Sequence, residues 1–231
     1  MEKKESHKTE GGLKPKGTGV SGKISGLSNR AFGIIKFILG ICLLPFVYSM
    51  SLAFLNQFSL VEKSLQGYFW SGMLALLIVY LFIWEPQVIY AKGQRLLEMI
   101  FIFFKPLVKL APYVLPIYTI VLFIIYGLLP LVISTSGGKP AWLLQYSIFL
   151  IGFTFALHLV FSARSIRSQK SDFLKANYIF GFSLIYTINV ALLAFCMNLI
   201  FKEFSFVNFS NSALQAADNI FYAVFKQLFL R

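Results

Sequence analysis

The side chains best suited to chemistry in this chain stand where chemistry is costly, inside or beside long apolar runs. Ser147, Thr154, His158, Ser162 and Ser165 follow one another at spacings of 7, 4, 4 and 3, which places them on one helical face. A second line, Ser183, Thr187, Ala191, Ala194 and Asn198, gives a face of small and polar residues. Two such faces are expected to pack together, with short side chains allowing close approach and hydroxyls bonding across the helices. His158 is the histidine that falls within an apolar run. As a neutral imidazole bonded to a Ser or Thr hydroxyl it is glue; as an intramembrane ionisable group it is a candidate proton carrier or metal ligand.

A third group crowds residues 84–118, where charges and prolines interrupt the apolar pattern. Glu85 precedes Pro86, and proline both removes an amide donor and disfavours helical geometry in the residue before it, so one helix is expected to end there. A new amphipathic helix is expected over 87–104, carrying Gln87, Gln94, Arg95 and Glu98 as its polar positions. It either lies at the membrane interface or enters the bundle. Arg95 and Glu98 are three apart and can pair on its surface. Pro112 and Pro116 then fall a turn apart and should kink or unwind the next span, leaving carbonyls free near Tyr113 and Tyr118.

The elements that hold these residues follow from composition. Of 231 residues 58% are hydrophobic and 13% charged, more apolar surface than a soluble domain of this size can bury. Five stretches reach the roughly 20 residues a helix needs to cross a bilayer: about 32–55, 68–84, 112–133, 142–162 and 177–201. The expected fold is all-α, a polytopic transmembrane helix bundle of five spans, following a disordered basic tail over 1–31. Residues 213–230 carry an apolar stripe at Leu214, Ala217, Phe221, Val224, Phe225 and Leu228. They read as an amphipathic interfacial helix or as a sixth, tilted span.

Fifteen Lys and Arg lie in the tail and the second and fourth connections, against Lys63, Lys139 and Lys202 in the alternate ones. This asymmetry puts the N-terminus and both basic loops in the cytoplasm of a bacterial-type inner membrane. Topology therefore accounts for most of the net charge of +12, and nucleic acid is not an expected partner. Gly17, Gly19 and Gly22 spell GxGxxG without a flanking strand, so no phosphate site is read there. Cys42 and Cys196 sit in separate apolar runs and offer neither a disulfide framework nor a zinc cluster.

In the order of its elements the chain resembles the site-2-protease-type intramembrane zinc metalloproteases. Members carry G-H-E-L-T-H-A, then L-A-P-Y-x-x-P-x-Y, then G-F-T-x-A-x-H. Here stand Gly93-Gln-Arg-Leu-Leu-Glu98-Met, then Leu110-Ala-Pro112-Tyr113-Val-Leu-Pro116-Ile-Tyr118, then Gly152-Phe-Thr154-Phe-Ala156-Leu-His158. The last two segments match closely and the first only in register. Gln94 takes the place of the first zinc-binding His, Arg95 that of the general-base Glu, and Glu98 that of the second His. The resemblance implies a helical protease scaffold covering about residues 70–231. With the HExxH chemistry replaced, it implies a non-catalytic member with no zinc cofactor expected, because Arg95 repels a divalent cation and cannot serve as a base.

The expected function is that of a membrane binding or scaffold protein, with membrane lipids and the transmembrane segments of other proteins as partners. A small transporter or channel subunit working through His158 and Glu85 is the alternative. A lipid-modifying enzyme fits less well, for want of a carboxylate or histidine cluster near the membrane surface.

Overall fold

The computed structural model describes residues 19–83, 86–104, 111–132, 141–168 and 178–229. All of its regular elements are helices. In chain order they are α1 (Gly19–Phe58), α2 (Lys63–Ile78, ending in a π turn, Val79–Ile83), α3 (Gln87–Ile100), α4 (Ile117–Val132), α5 (Ala141–Ser168), α6 (Tyr178–Ile200) and α7 (Phe206–Phe229). Phe32–Phe58, Lys63–Phe82, Trp142–Arg167 and Tyr178–Ile200 are long and apolar enough to cross a membrane.

Boundaries differ from the sequence expectation in four places, each with a local cause. Helix α1 runs back to Gly19, inside the segment expected to be disordered. Extending a helix already nucleated by an apolar span costs little per residue, so the polar approach can continue it. The expected third span is broken: residues 111–114 form one turn, and α4 begins at Ile117. At 1.5 Å per residue its 16 residues reach only about 24 Å, short of a hydrocarbon core. Helix α5 continues beyond 162 to Ser168 and ends on Arg167, where a cation suits the helix dipole. Helix α7 begins at Phe206 because Ser205 caps it, its Oγ accepting the Asn208 amide at 3.2 Å.

Three close helix pairs organise the bundle. Helices α2 and α5 cross where Gly72 lies on the Phe149 carbonyl and Gly152 lies on the Phe69 carbonyl. Each glycine admits the other helix's backbone, so the contact is reciprocal. Helix α1 packs against α6, with Gly40 against the Phe180 backbone, and against α7, where the Phe46 ring meets that of Phe221. Phe54, Phe58, Phe69, Phe204 and Phe209 fill the centre of the main core. Stacked and tilted rings there add to simple burial.

Helix α3 lies against α4 and α5 by one face only. Tyr90, Gly93 and Leu97, at i, i+3 and i+7, are its buried side. Val88, Leu96, Met99 and Ile100 are exposed, as are Gln87, Lys92, Arg95 and Glu98. The helix is therefore half sunk against the bundle, with an apolar arc left for lipid and a polar arc for water.

Candidate functional site

The site grows from the proline break before α4. Pro116 has no amide proton to give the Pro112 carbonyl. The Leu115 amide bonds the Ala111 carbonyl at 2.9 Å, but the Ile117 amide turns to the Leu115 carbonyl at 3.0 Å. A regular helix would have sent that amide to Tyr113 and the next to Val114. Both carbonyls thus leave the backbone ladder inside the protein, where each needs a donor.

Polar side chains from α5 and α6 supply the donors. Ser162 Oγ donates to the Tyr113 carbonyl at 3.1 Å. Asn189 Nδ2 donates to the Val114 carbonyl at 2.8 Å and also holds the Ile185 carbonyl of its own helix at 2.8 Å. The His158 imidazole reaches the Tyr113 and Val114 carbonyls as well, and its Nε2 lies 3.3 Å from Ser162 Oγ. Ser162 has a single proton and gives it to Tyr113, so Tyr90, 3.0 Å away, is the donor in the Tyr90–Ser162 bond. Burial pushes the Tyr90 phenol up to about 12, which keeps that proton in place at neutral pH.

A second polar contact lies one turn away. Thr154 Oγ1 donates to the Leu150 carbonyl of its own helix at 2.9 Å and meets Thr119 Oγ1 of α4 at 3.1 Å. Tyr118 crosses α3 and donates to the Ile89 carbonyl at 2.6 Å. Its ring lies where a side chain at position 93 would go, 2.7 Å from an added Cβ, which is why Gly93 is a glycine.

Between these contacts is a cavity with room for about one water molecule, lined among others by Tyr90, Gln94, Pro112, Pro116, Thr154 and His158. Gln94 Nε2 is buried at this wall without a hydrogen-bond partner. His158 is 5% exposed. Of the sequence candidates, the structure brings together Gln94, His158, Thr154, Pro112 and Pro116, with Pro86 buried at the start of α3. Arg95 and Glu98 go elsewhere: both lie on the exposed arc of α3, and among the described residues no ion pair joins them. Glu85 lies outside the described residues.

The sequence suggested that the polar face of α5 packs on that of α6; Ser162 and Thr154 of that face bond the segment before α4 and α4 itself. The face turns to the break because unsatisfied carbonyls there demand donors more than two already helical backbones do. Thr187 Oγ1 is left buried and unpartnered, while Asn198 Oδ1 accepts the Phe206 amide and helps start α7. Asn189, which is fully buried, and Tyr90 escaped the sequence reading. An asparagine deep in an apolar run was the available signal, since hydrocarbon offers its amide nothing.

The donor set does not suit zinc, which takes three or four N, S or O ligands in a tetrahedral site. His158 contributes one imidazole, already turned to backbone carbonyls, and its polar neighbours at the cavity are amide and hydroxyl groups. Comparison with known proteins adds no relative: no protein-family model, curated protein or solved structure matches the chain.

Proposed function

We propose that the chain is a non-catalytic relative of the site-2-protease-like intramembrane metalloproteases, acting as a membrane binding or scaffold protein with its N-terminus in the cytoplasm. The observation that carries this reading is convergence. Gly93 and Gln94 from the first resembling segment, Pro112, Pro116 and Tyr118 from the second, and Thr154 and His158 from the third all line one small cavity. Chance matches scattered along a membrane protein have no reason to meet. In that register Gln94, which shares the cavity with His158, carries an amide where a metal-binding relative needs an imidazole.

The work left to such a site is to hold a broken helix open within the bundle. The half-sunk α3 forms a wall that continues into the π turn of α2 on one side and the broken backbone before α4 on the other, whose freed carbonyls are held from within by Ser162 and Asn189. A wall of this kind can receive a transmembrane segment or lipid without cutting it. The positive-inside asymmetry of the loops supports the orientation.

Metal analysis of the purified protein tests the reading. Zinc well below one atom per chain is expected in the wild type and in His158→Ala alike. A stoichiometric metal that disappears with His158→Ala would overturn it. Reconstituted flux that vanishes on His158→Ala or Glu85→Gln would favour a transporter instead.

A further inference from the structure

Helix α7 packs chiefly against α1, away from the proline break. It leaves the Phe58 end of α1, where the Ser205 amide bonds Gln57 Oε1 at 3.2 Å and the Phe204 ring lies 5.8 Å from that of Phe54. Phe209 then enters the same cluster, and Phe221 meets Phe46 at 5.7 Å. Helix α7 therefore runs antiparallel along α1, and α1 is itself apolar enough to span from Phe32 to Phe58. A helix lying flat in the interface would leave α1 after one crossing. This one follows it for several turns.

The buried side of α7, Phe209, Ala213 and Ala217, is the side against α1. The opposite side is exposed and mainly polar over its first three turns, with Val207 and Leu214 along one edge. Asn208, Gln215 and Tyr222 recur every seven residues, with Asn211, Asp218 and Phe225 three further on in each case, and all six are exposed. That is the spacing of a heptad seam, polar at the Phe58 end of α1 and aromatic toward the other. A helix that tracks a membrane span cannot leave such a row to hydrocarbon, which offers neither donors nor acceptors.

We infer that α7 crosses the membrane beside the four apolar spans although it is less apolar than they are, and that its outward seam docks a second copy of this chain, α7 beside α7. Self-association fits the chemistry of the row. Asn208, Asn211 and Gln215 each both donate and accept, so the surface is complementary to itself about a two-fold axis. Two copies inserted in the same sense also bring their α7 helices together in parallel, the arrangement in which a heptad seam closes on its own sequence. Asp218 meets its own copy across the axis, and Gln215 of each helix, three residues before it on the seam, is the amide placed to donate to that pair. An acyl chain could satisfy the Tyr222 and Phe225 end but nothing from Asn208 to Asp218.

Cysteine cross-linking in native membranes tests this. In a background of Cys42→Ser and Cys196→Ala, shown by gel filtration to keep the wild-type elution, single cysteines are placed on the seam (Gln215→Cys, Phe225→Cys) and off it (Val224→Cys). The expected result is reducible dimer at both seam positions, at least fivefold more than at Val224, with no labelling of Gln215→Cys by a membrane-impermeant maleimide. Equal yields at all three positions, or cross-links only to other proteins, would overturn the self-docking seam. Ready labelling of Gln215→Cys would overturn the crossing itself, since the row would then face water.

Discussion

Ser162 and Tyr113 are 49 residues apart in the chain and joined by a 3.1 Å hydrogen bond, from the hydroxyl of one to the backbone carbonyl of the other. The bond exists because Pro116 and its neighbours have withdrawn that carbonyl from the helix. A side chain here completes the backbone of another helix.

Removing the Ser162 hydroxyl should therefore cost more than a surface hydrogen bond does. Ser162→Ala leaves the Tyr113 carbonyl buried with one donor fewer and takes the acceptor from Tyr90, a loss of about 1–3 kcal/mol. Asn189→Leu should act similarly on the Val114 carbonyl. Apparent melting temperature in detergent is the measurement, with both variants expected several degrees below wild type. An unchanged value for both would mean that the carbonyls find other partners and that the network is incidental.

If the prolines create the demand and the α5 and α6 side chains meet it, the two must be coupled. Pro116→Ala restores an amide and raises helix propensity, yet it should destabilise, because a closed helix would draw Tyr113 and Val114 back to backbone amides and strand Ser162 and Asn189. In a double-mutant cycle Ser162→Ala should then cost much less in the Pro116→Ala background than in the wild type, with an interaction of about 0.5–3 kcal/mol. Additive effects would separate the break from the polar cluster.

Four of the five expected spans, the proline break and the freed carbonyls were legible in the sequence, because each follows from local chemistry: apolar run length or a missing amide proton. What the carbonyls would bond to was not legible. Side-chain periodicity shows that Thr154, His158 and Ser162 share a face but not which neighbour that face meets. The α5 partner was set by Gly72 and Gly152, two glycines that periodicity treats as neutral. Once they bring α2 and α5 together, the polar face of α5 has to turn toward α3 and α4. Asn189 was hidden for a related reason: it lies off the Ser183–Thr187 line and acts alone.

Gly93 and Tyr118 offer a sharper test of how α3 sits. A Cβ at position 93 would stand 2.7 Å from the Tyr118 ring, a contact that the ring or one of the helices must shift to relieve. Gly93→Ala should lower stability by about 1–3 kcal/mol even though alanine is the better helix former. Tyr118→Ala costs the packing and the bond to the Ile89 carbonyl. The pair combined should be less harmful than the sum. Full additivity would show that α3 is free to move off α4 and that the cavity at Gln94 is not fixed.

Two glycines of one helix separate close packing from propensity. Gly67 and Gly72 both lie in α2, but a Cβ at Gly67 meets nothing within 4 Å, whereas one at Gly72 collides with the Phe149 carbonyl, a backbone atom that cannot rotate away. Gly67→Ala should therefore stabilise the protein, by up to about 1 kcal/mol, through helix propensity and the lower entropy of the unfolded chain. Gly72→Ala gains the same propensity and still should lose about 3 kcal/mol or more, since α5 must back away along the crossing. Gly152→Ala should match it, because the Phe69 carbonyl opposes that position in the same way. Melting temperatures of the three variants in one detergent would decide it. The same sign for Gly67→Ala and Gly72→Ala would mean that α2 and α5 are not held at backbone contact, and the placement of Thr154, His158 and Ser162 against the break would lose its support.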